Sequence, residues 1–362
     1  MTAIRSGHVT LFYLFDIAEA IALDAVPALV GATEPARLAT RPPRPSHVQY
    51  QQPPLAFAGD RIDIPRLDDF TVRVKLFDYG VASFALTRPF AGTWINLIDV
   101  ASDVIENQRV DEQAEACCRS LMARLAAALK HPRDRLLTED YAVFTITSLD
   151  EAVSADRLLE LHADEIALVL RGERQPLSAQ EREAILRHRL SYLANDVVIA
   201  TWNTALVYDD EAGADGALEI IEFANSQLLE FRYFDDLLDA ELTRIYGELQ
   251  RPRPSLLGAR RQTRAAHYAQ SLLIDVHELT DHTENALKFV GDVYAARLFA
   301  LVASRLALDP WKASVQDKLR TLEDIRRFAV EQTSMARGQF LELTIVLILL
   351  LELVLFFLGI ME

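Results

Sequence analysis

Hydrophobic and polar positions follow three regimes along the chain. His8 to Phe15 is an almost unbroken apolar run rich in β-formers, which predicts a strand. Ala18 to Val30 takes a short helical pattern limited by Pro27, and residues 41–54, with five of the 14 prolines, predict a loop. Thr71 to Phe77 alternates at Val72, Val74 and Leu76, the period of a strand. Asp78-Tyr79-Gly80 supplies turn chemistry and Val81 to Leu86 continues extended, so a β-hairpin is predicted. Asn96 to Lys130 reads as one long helix ending before Pro132, and Tyr141 to Ile146 as another strand. A helix over Ser154–Leu170 is capped by Ser154 and ended by Gly172; a further helix starts at Ser178, with Glu181 completing a capping box. Val197 to Tyr208 is the last predicted strand, with Trp202 most economically in the core, and the acidic loop 209–216 closes this unit.

From Ala217 onward the pattern is helical throughout. Breaks at Arg251–Gly258 and Asp309-Pro310 divide it into helices over about 217–249, 259–308 and 311–338. The first carries a stripe at strict 3-4 spacing: Ile221, Ala224, Leu228, Phe231, Asp235, Leu238, Leu242, Ile245 and Leu249. Apolar residues at that spacing are the signature of a coiled coil. Asp235 is its polar exception, read economically as a partly exposed position and functionally as a residue that sets register.

The third regime is the C-terminal segment. Residues 340–360 hold 17 apolar residues of 21, around the whole helical circumference. As a helix they would reach about 31 Å, against a hydrocarbon core of about 30 Å. A membrane span is predicted, with only Met361 and Glu362 beyond it, hence a tail anchor. Lys318, Arg320, Arg326, Arg327 and Arg337 precede the span and no Lys or Arg follows, which places the large domain in the cytoplasm. Gly338, Glu342, Ile345, Leu349, Glu352, Phe356 and Gly359 form one heptad seam on this helix. Glu352 lies at or beyond the midplane, where a charge costs at least about 2.5 kcal/mol, so it is expected to be protonated, paired or shielded. Small and polar residues gathered on one face are what helices use to associate in lipid, and a homo-oligomer is expected.

Composition changes this picture in one respect. The mean hydropathy is slightly positive at +0.09. Removing residues 340–360 lowers the apolar share from 51% to an ordinary globular level, so the excess is largely one segment. The net charge of -16 argues against non-specific capture of nucleic acid. Cys117 and Cys118 are adjacent, which predicts no disulfide framework and fits a reducing compartment. The opening residues show neither a signal-peptide nor a transit-peptide pattern.

Catalytic chemistry is not evident. The chain has no G-x-G-x-x-G, no P-loop, no G-x-S-x-G elbow and no C-x-x-C. His277-Glu278-Leu279-Thr280-Asp281-His282 approaches a zinc helix, but Asp281 holds the i+4 position and a solvated face is the economical reading. Asp209, Asp210, Glu211 and Asp215 lack calcium-loop spacing. No catalytic residue, cofactor or metal is therefore assigned.

Two motifs resemble a known family. Leu341-Glu342, Ile345-Val346, Ile348 and Glu352, with two glutamates ten apart in a C-terminal span, resemble the required-for-meiotic-nuclear-division family, which is related to the Sad-interacting factor proteins and is of unknown function. That family usually has Trp after the first Glu, where Leu343 stands. Phe77, Asp78, Tyr79 and Gly80, within Leu76–Val81, resemble its Phe-x-Tyr/Phe-Gly hairpin, and Asp292–Tyr294 through Ile325 is also similar. The resemblance covers most of residues 70–362. It implies a bacterial-type, membrane-attached protein that is not an enzyme. The mitochondrial members are inner-membrane proteins that support translation by anchoring or stabilising ribosomes.

The expected architecture is α+β: a mixed α/β domain over 1–216, a long coiled-coil-like helical region over 217–338, and a transmembrane anchor over 339–362. The expected function is a scaffold in the inner (cytoplasmic) membrane that oligomerises and presents its cytoplasmic domain to a protein partner, conceivably translation machinery. An enzyme or ligand sensor with a cleft in the α+β domain is the alternative.

Overall fold

The computed structural model describes residues 2–31, 34–35, 53–60, 70–105, 107–249 and 293–357. The N-terminal part is a mixed α/β sheet domain, with long helices following it. In chain order the elements are β1 (Ile4–Ile21), α1 (Val26–Val30), β2 (Glu34–Pro35), β3 (Leu55–Ala58), β4 (Thr71–Leu76), β5 (Val81–Gly92), α2 (Trp94–Val104) and α3 (Gln108–Arg124). They continue with β6 (Leu129–Leu149), α4 (Ala155–Arg171), α5 (Ala179–Leu186), β7 (Arg189–Leu190), β8 (Val197–Ala200), β9 (Thr204–Tyr208), α6 (Glu211–Leu249), α7 (Val293–Arg305) and α8 (Leu308–Phe357). The sheet order is β2-β3-β4-β5-β1-β6-β9-β8-β7, antiparallel except between β6 and β9.

β1 is the central strand and is buried on both faces, which explains its unbroken apolar run. Val9, Leu11, Tyr13, Phe15 and Ile17 face a core shared with Leu97, Ala101, Val110, Leu121, Leu158 and Ile166 of α2, α3 and α4. Thr10, Phe12, Leu14 and Asp16 alternate with them, are equally buried, and point to the opposite face. The β4–β5 hairpin forms as the sequence predicts. Its Gly80 has φ +99°, and a Cβ there would lie 1.9 Å from the Ala18 carbonyl oxygen. Only glycine fits, because Ile17 N–H donates to the Gly80 carbonyl at 3.0 Å and Ile21 N–H to that of Asp78 at 2.8 Å.

Several sequence expectations are corrected. Ala18–Ile21 is strand, not helix, because it pairs with the first half of β6 (Ala18 opposite Pro132, Ile21 opposite Leu129). The single helix expected over Asn96–Lys130 is two, each with its own cap: Thr93 accepts from Asn96 N–H and Asn107 from Arg109 N–H. The strand that follows begins at Leu129 and runs through Pro132. The last predicted strand is two, β8 and β9, joined at 201–203, where the Thr201 hydroxyl accepts from Thr204 N–H. Trp202 lies in that turn and is 54% exposed, so it is not core. Of the acidic loop, residues from Glu211 belong to α6, whose first turn is capped when Asp210 accepts from Gly213 N–H. The Ser154 and Ser178 caps form, accepting from Arg157 and Glu181 N–H.

The chain divides into two compact units, Met1–Phe234 with Leu279–Lys312, and Asp235–Glu278 with Ala313–Glu362. In the first, residues 221–231 of α6 are buried without a break. A helix buried on every side is a core element, so the heptad stripe from Ile221 to Phe231 is not shown to be a coiled-coil seam. In the second, Leu238, Val315, Leu319 and Leu322 are buried. There Asp235 is 8% exposed, accepts from Ser314 Oγ at 2.6 Å and pairs with Lys318 at 2.8 Å. Leu242 and Ile245 are half-buried, and the side chain of Leu249 lies outside those described.

Candidate functional site

The polar chemistry of the first unit collects on the sheet face that meets α6. Glu219, Glu222, Ser226, Glu230 and Tyr233 recur at three- and four-residue steps along α6, one face of the helix. Glu219, Glu222, Ser226 and Tyr233 each meet a polar or charged group of the sheet or its hairpin, whereas the buried Glu230 Oε1 has no hydrogen-bond partner among the described residues. Lys75 of β4 is only 4% exposed; its ammonium donates to Glu219 at 2.6 Å and also to Glu222. Burial pulls the Lys75 pKa down, yet the two carboxylates outweigh it and hold it above the ordinary value. Burial pushes the Glu219 pKa up, opposed by Lys75. The hairpin follows: Tyr79 stacks on Phe77 at 5.2 Å, and its hydroxyl shares a hydrogen bond of 2.7 Å with Ser226. Farther along, Arg133 of β6 donates from Nε to Asp16 at 2.9 Å, and its guanidinium lies 3.7 Å from the centre of the Tyr233 ring. Burial raises the Asp16 carboxyl to about 6 against the pull of Arg133. Burial, then the neighbouring Asp16, holds Glu230 well above the carboxylate range.

At the start of α6 this seam opens into a groove of about 660 Å³, between the sheet and the first turns of the helix. The helix contributes Glu211, Asp215, Leu218, Glu219 and Glu222; the sheet contributes His8, Thr10, Phe12, Arg73, Lys75 and Thr87, among others. Thr10 and Thr87 share a hydrogen bond of 3.0 Å, and Ser6 one of 2.7 Å with Thr147. Next to them, Ser83 stands opposite Lys75 and Thr145 opposite His8 in register. Both hydroxyls are buried with no hydrogen-bond partner among the described residues.

Of the residues singled out from sequence, the structure brings the hairpin to α6 through Tyr79. It does not bring Asp78 or Trp202 into the groove lining. Ile345 and Leu349 of the expected membrane seam are more than half exposed. The side chains of Gly338, Glu342, Glu352 and Phe356, and all of Gly359, lie outside what is described, as do His277 and Asp281. Among the described residues no helix is long and apolar enough to cross a membrane. Of the expected span 340–360, the side chains described beyond its first residues are those of 344–350. Among the described residues no cluster of three or more metal-ligating side chains occurs. Sequence reasoning missed the groove, although two signals were present: Lys75 inside an apolar strand, and acids at four-residue spacing from Glu211.

The family described as the N-terminal domain of the uncharacterized protein MJ0711 matches residues 6–215. The chain belongs to this family. The uncharacterized protein MJ0711 of Methanocaldococcus jannaschii is 23% identical over 212 residues, 59% of this chain and 65% of that protein. The chain thus spans just under two thirds of the length of the curated relative it matches. No solved structure matches the chain. The match to the MJ0711 N-terminal family covers the sheet except for the first two residues of β1, includes Glu211 and Asp215, and stops short of Glu219. It shows membership of a family of uncharacterized proteins. It does not show the required-for-meiotic-nuclear-division family, whose paired glutamates lie beyond the matched stretch.

Proposed function

We propose that this protein is a membrane-attached scaffold that presents its α+β unit to a protein partner. The observation that carries the reading is the end of α8. Ile345, Val346, Leu347, Ile348, Leu349 and Leu350 are consecutive and each 50–64% exposed. Six consecutive helical residues point in every direction around the axis, so no single packed neighbour would cover them. A hydrocarbon phase would. The basic residues that precede the segment support an α+β unit on the cytoplasmic side of the inner membrane. The seam from Gly338 to Gly359 supports self-association within the bilayer, and the resemblance to the required-for-meiotic-nuclear-division family supports a role beside translation through protein contacts.

The test is fractionation of the full chain and of a chain ended at Gln339. The full chain is expected to stay with carbonate-washed membranes and the shortened one to leave them. A full chain released by carbonate overturns the reading. Crosslinking in membranes tests the seam: Glu352→Leu is expected to weaken the oligomer, and an unchanged ladder removes the seam from the proposal.

A second reading, a ligand sensor, is favoured by the groove at the start of α6. Its volume of about 660 Å³ falls in the range of small-molecule sites, and charged and hydroxyl groups converge on it from two walls.

A further inference from the structure

We propose that His162 is a proton-operated latch between α2 and α4: protonation draws its ring off Trp94 and uncovers an apolar surface on these two helices. Trp94, the first residue of α2, and His162, in the middle of α4, stack with ring centres 4.7 Å apart and planes at 22°. Both side chains are buried. Trp94 Nε1, His162 Nδ1 and His162 Nε2 have no hydrogen-bond partner among the described residues. Glu165 Oε1 stands 3.7 Å from Nδ1, too far for a hydrogen bond. His162 is also where α4 breaks. Its φ of -129° and ψ of 25° are not helical, so residues 155–161 and 163–171 are two helical pieces joined at this residue. The second piece is anchored by Ile166, Ala167, Val169 and Leu170 in the core, and the Leu170 carbonyl accepts from Thr204 Oγ at 2.6 Å. The first buries only Ala155 and Leu158.

The stack suits a neutral ring. An imidazolium brings a charge and two N–H donors, and neither donor has an acceptor within hydrogen-bond distance. Attraction to the face of Trp94 favours the charged ring but pairs neither donor. A turn towards Glu165, which is partly exposed, pairs one. Burial holds the His162 pKa below its ordinary 6.5, against the pull of Glu165; the chain's amino terminus acts with burial, and α2 meets the ring with the uncharged Trp94. The native ring therefore binds its proton less readily than the unfolded chain does. The contribution of the stack is complete above 6.5 and is lost as the pH falls below it. Once the ring has turned, Trp94 joins its exposed neighbour Ile95 and the exposed Leu161, which precedes the hinge.

The experiment follows Trp94 emission in the full chain in detergent, with Trp202→Phe and Trp311→Phe leaving it as the only tryptophan. Between about pH 8 and about pH 5, acrylamide quenching of Trp94 is expected to rise several-fold, with a midpoint below 6.5. His162→Phe keeps an aromatic stack and removes the proton, so its quenching is expected to stay flat. Glu165→Gln removes the carboxylate that favours the charged ring and is expected to move the midpoint to lower pH. Quenching that does not change over this range overturns the proposal, as does an acid rise that persists in His162→Phe. A midpoint that Glu165→Gln leaves unmoved overturns it too, and decides the matter should His162→Phe fail to fold. Loss of emission without acrylamide access would mean that the ring is charged in place beside Trp94, and it overturns the latch as well.

Discussion

Two regions of this molecule reverse the usual sorting of side chains, and they do so in opposite senses. Along α6, ionisable and hydroxyl groups are buried: Lys75 with Glu219 and Glu222, Tyr79 with Ser226, Asp16 with Arg133. At the end of α8, six large aliphatic side chains in succession are exposed. The first reversal is compensated inside the chain, because most buried groups meet a partner of opposite charge or matching hydrogen-bond character. The second has no compensation among the described residues and calls for one from outside. A buried polar seam is thus a property to be tested by folding, and an exposed apolar helix a property to be tested by partition.

The largest effect should come from unpairing the seam. Lys75→Met leaves two buried carboxylates without their cation and should destabilise the chain by about 3–5 kcal/mol, read as a lowered denaturant midpoint. Combining it with Glu219→Gln and Glu222→Leu should recover most of the loss. If the triple variant is no more stable than Lys75→Met, the three residues are not coupled and the comparison fails on its first side. On the other side, Leu347→Arg should cost about 2.5–3.5 kcal/mol in membrane partition while leaving the denaturant midpoint of the α+β unit unmoved. A lowered midpoint there would mean that Leu347 packs against protein.

The two regions also differ in how legible they were. The apolar end of α8 is visible in one dimension, because a continuous run needs no knowledge of what lies nearby. The hairpin and the Ser154 and Ser178 caps were legible for the same reason: turn and cap chemistry is local. The α6 seam was not, since Lys75 and Glu222 are distant in sequence and each alone looks like a surface residue. Pairing over distance also hid the end of β1: Ala18–Ile21 has helical composition and becomes strand only because the first half of β6 lies alongside it. The stripe from Ile221 was correct in spacing, yet spacing reports which positions share a face, and α6 is buried on its other faces too.

Proton linkage separates the regions next. Glu230 and Asp16 are both held above their ordinary values by burial, so the native state binds more protons than the unfolded chain. Stability therefore falls as pH rises through this range. For Asp16 the fall runs from its ordinary 3.8 to about 6, on the order of 2–3 kcal/mol, and Glu230 extends it upward. Glu230→Gln should flatten the upper part of the slope, so that the variant gains on the native chain as pH increases above about 4.5. Parallel unfolding curves at every pH would show that Glu230 does not hold its proton. Ile345–Leu350 contains no titratable group, and its contribution to partition should not change over the same range.

The smallest effect concerns the sheet face beside the seam. Ser83→Ala and Thr145→Val each remove a buried hydroxyl that has no partner among the described residues. An unpaired buried hydroxyl carries its desolvation cost with no hydrogen bond to offset it, so the variants should stabilise the ligand-free chain by up to about 1 kcal/mol each. A paired hydroxyl would give the opposite sign. The sign therefore tests how far the seam's internal pairing extends across the sheet. Stabilisation by both variants shows two unpaired hydroxyls beside the seam, like the Glu230 Oε1 within it; destabilisation shows that both hydroxyls are satisfied.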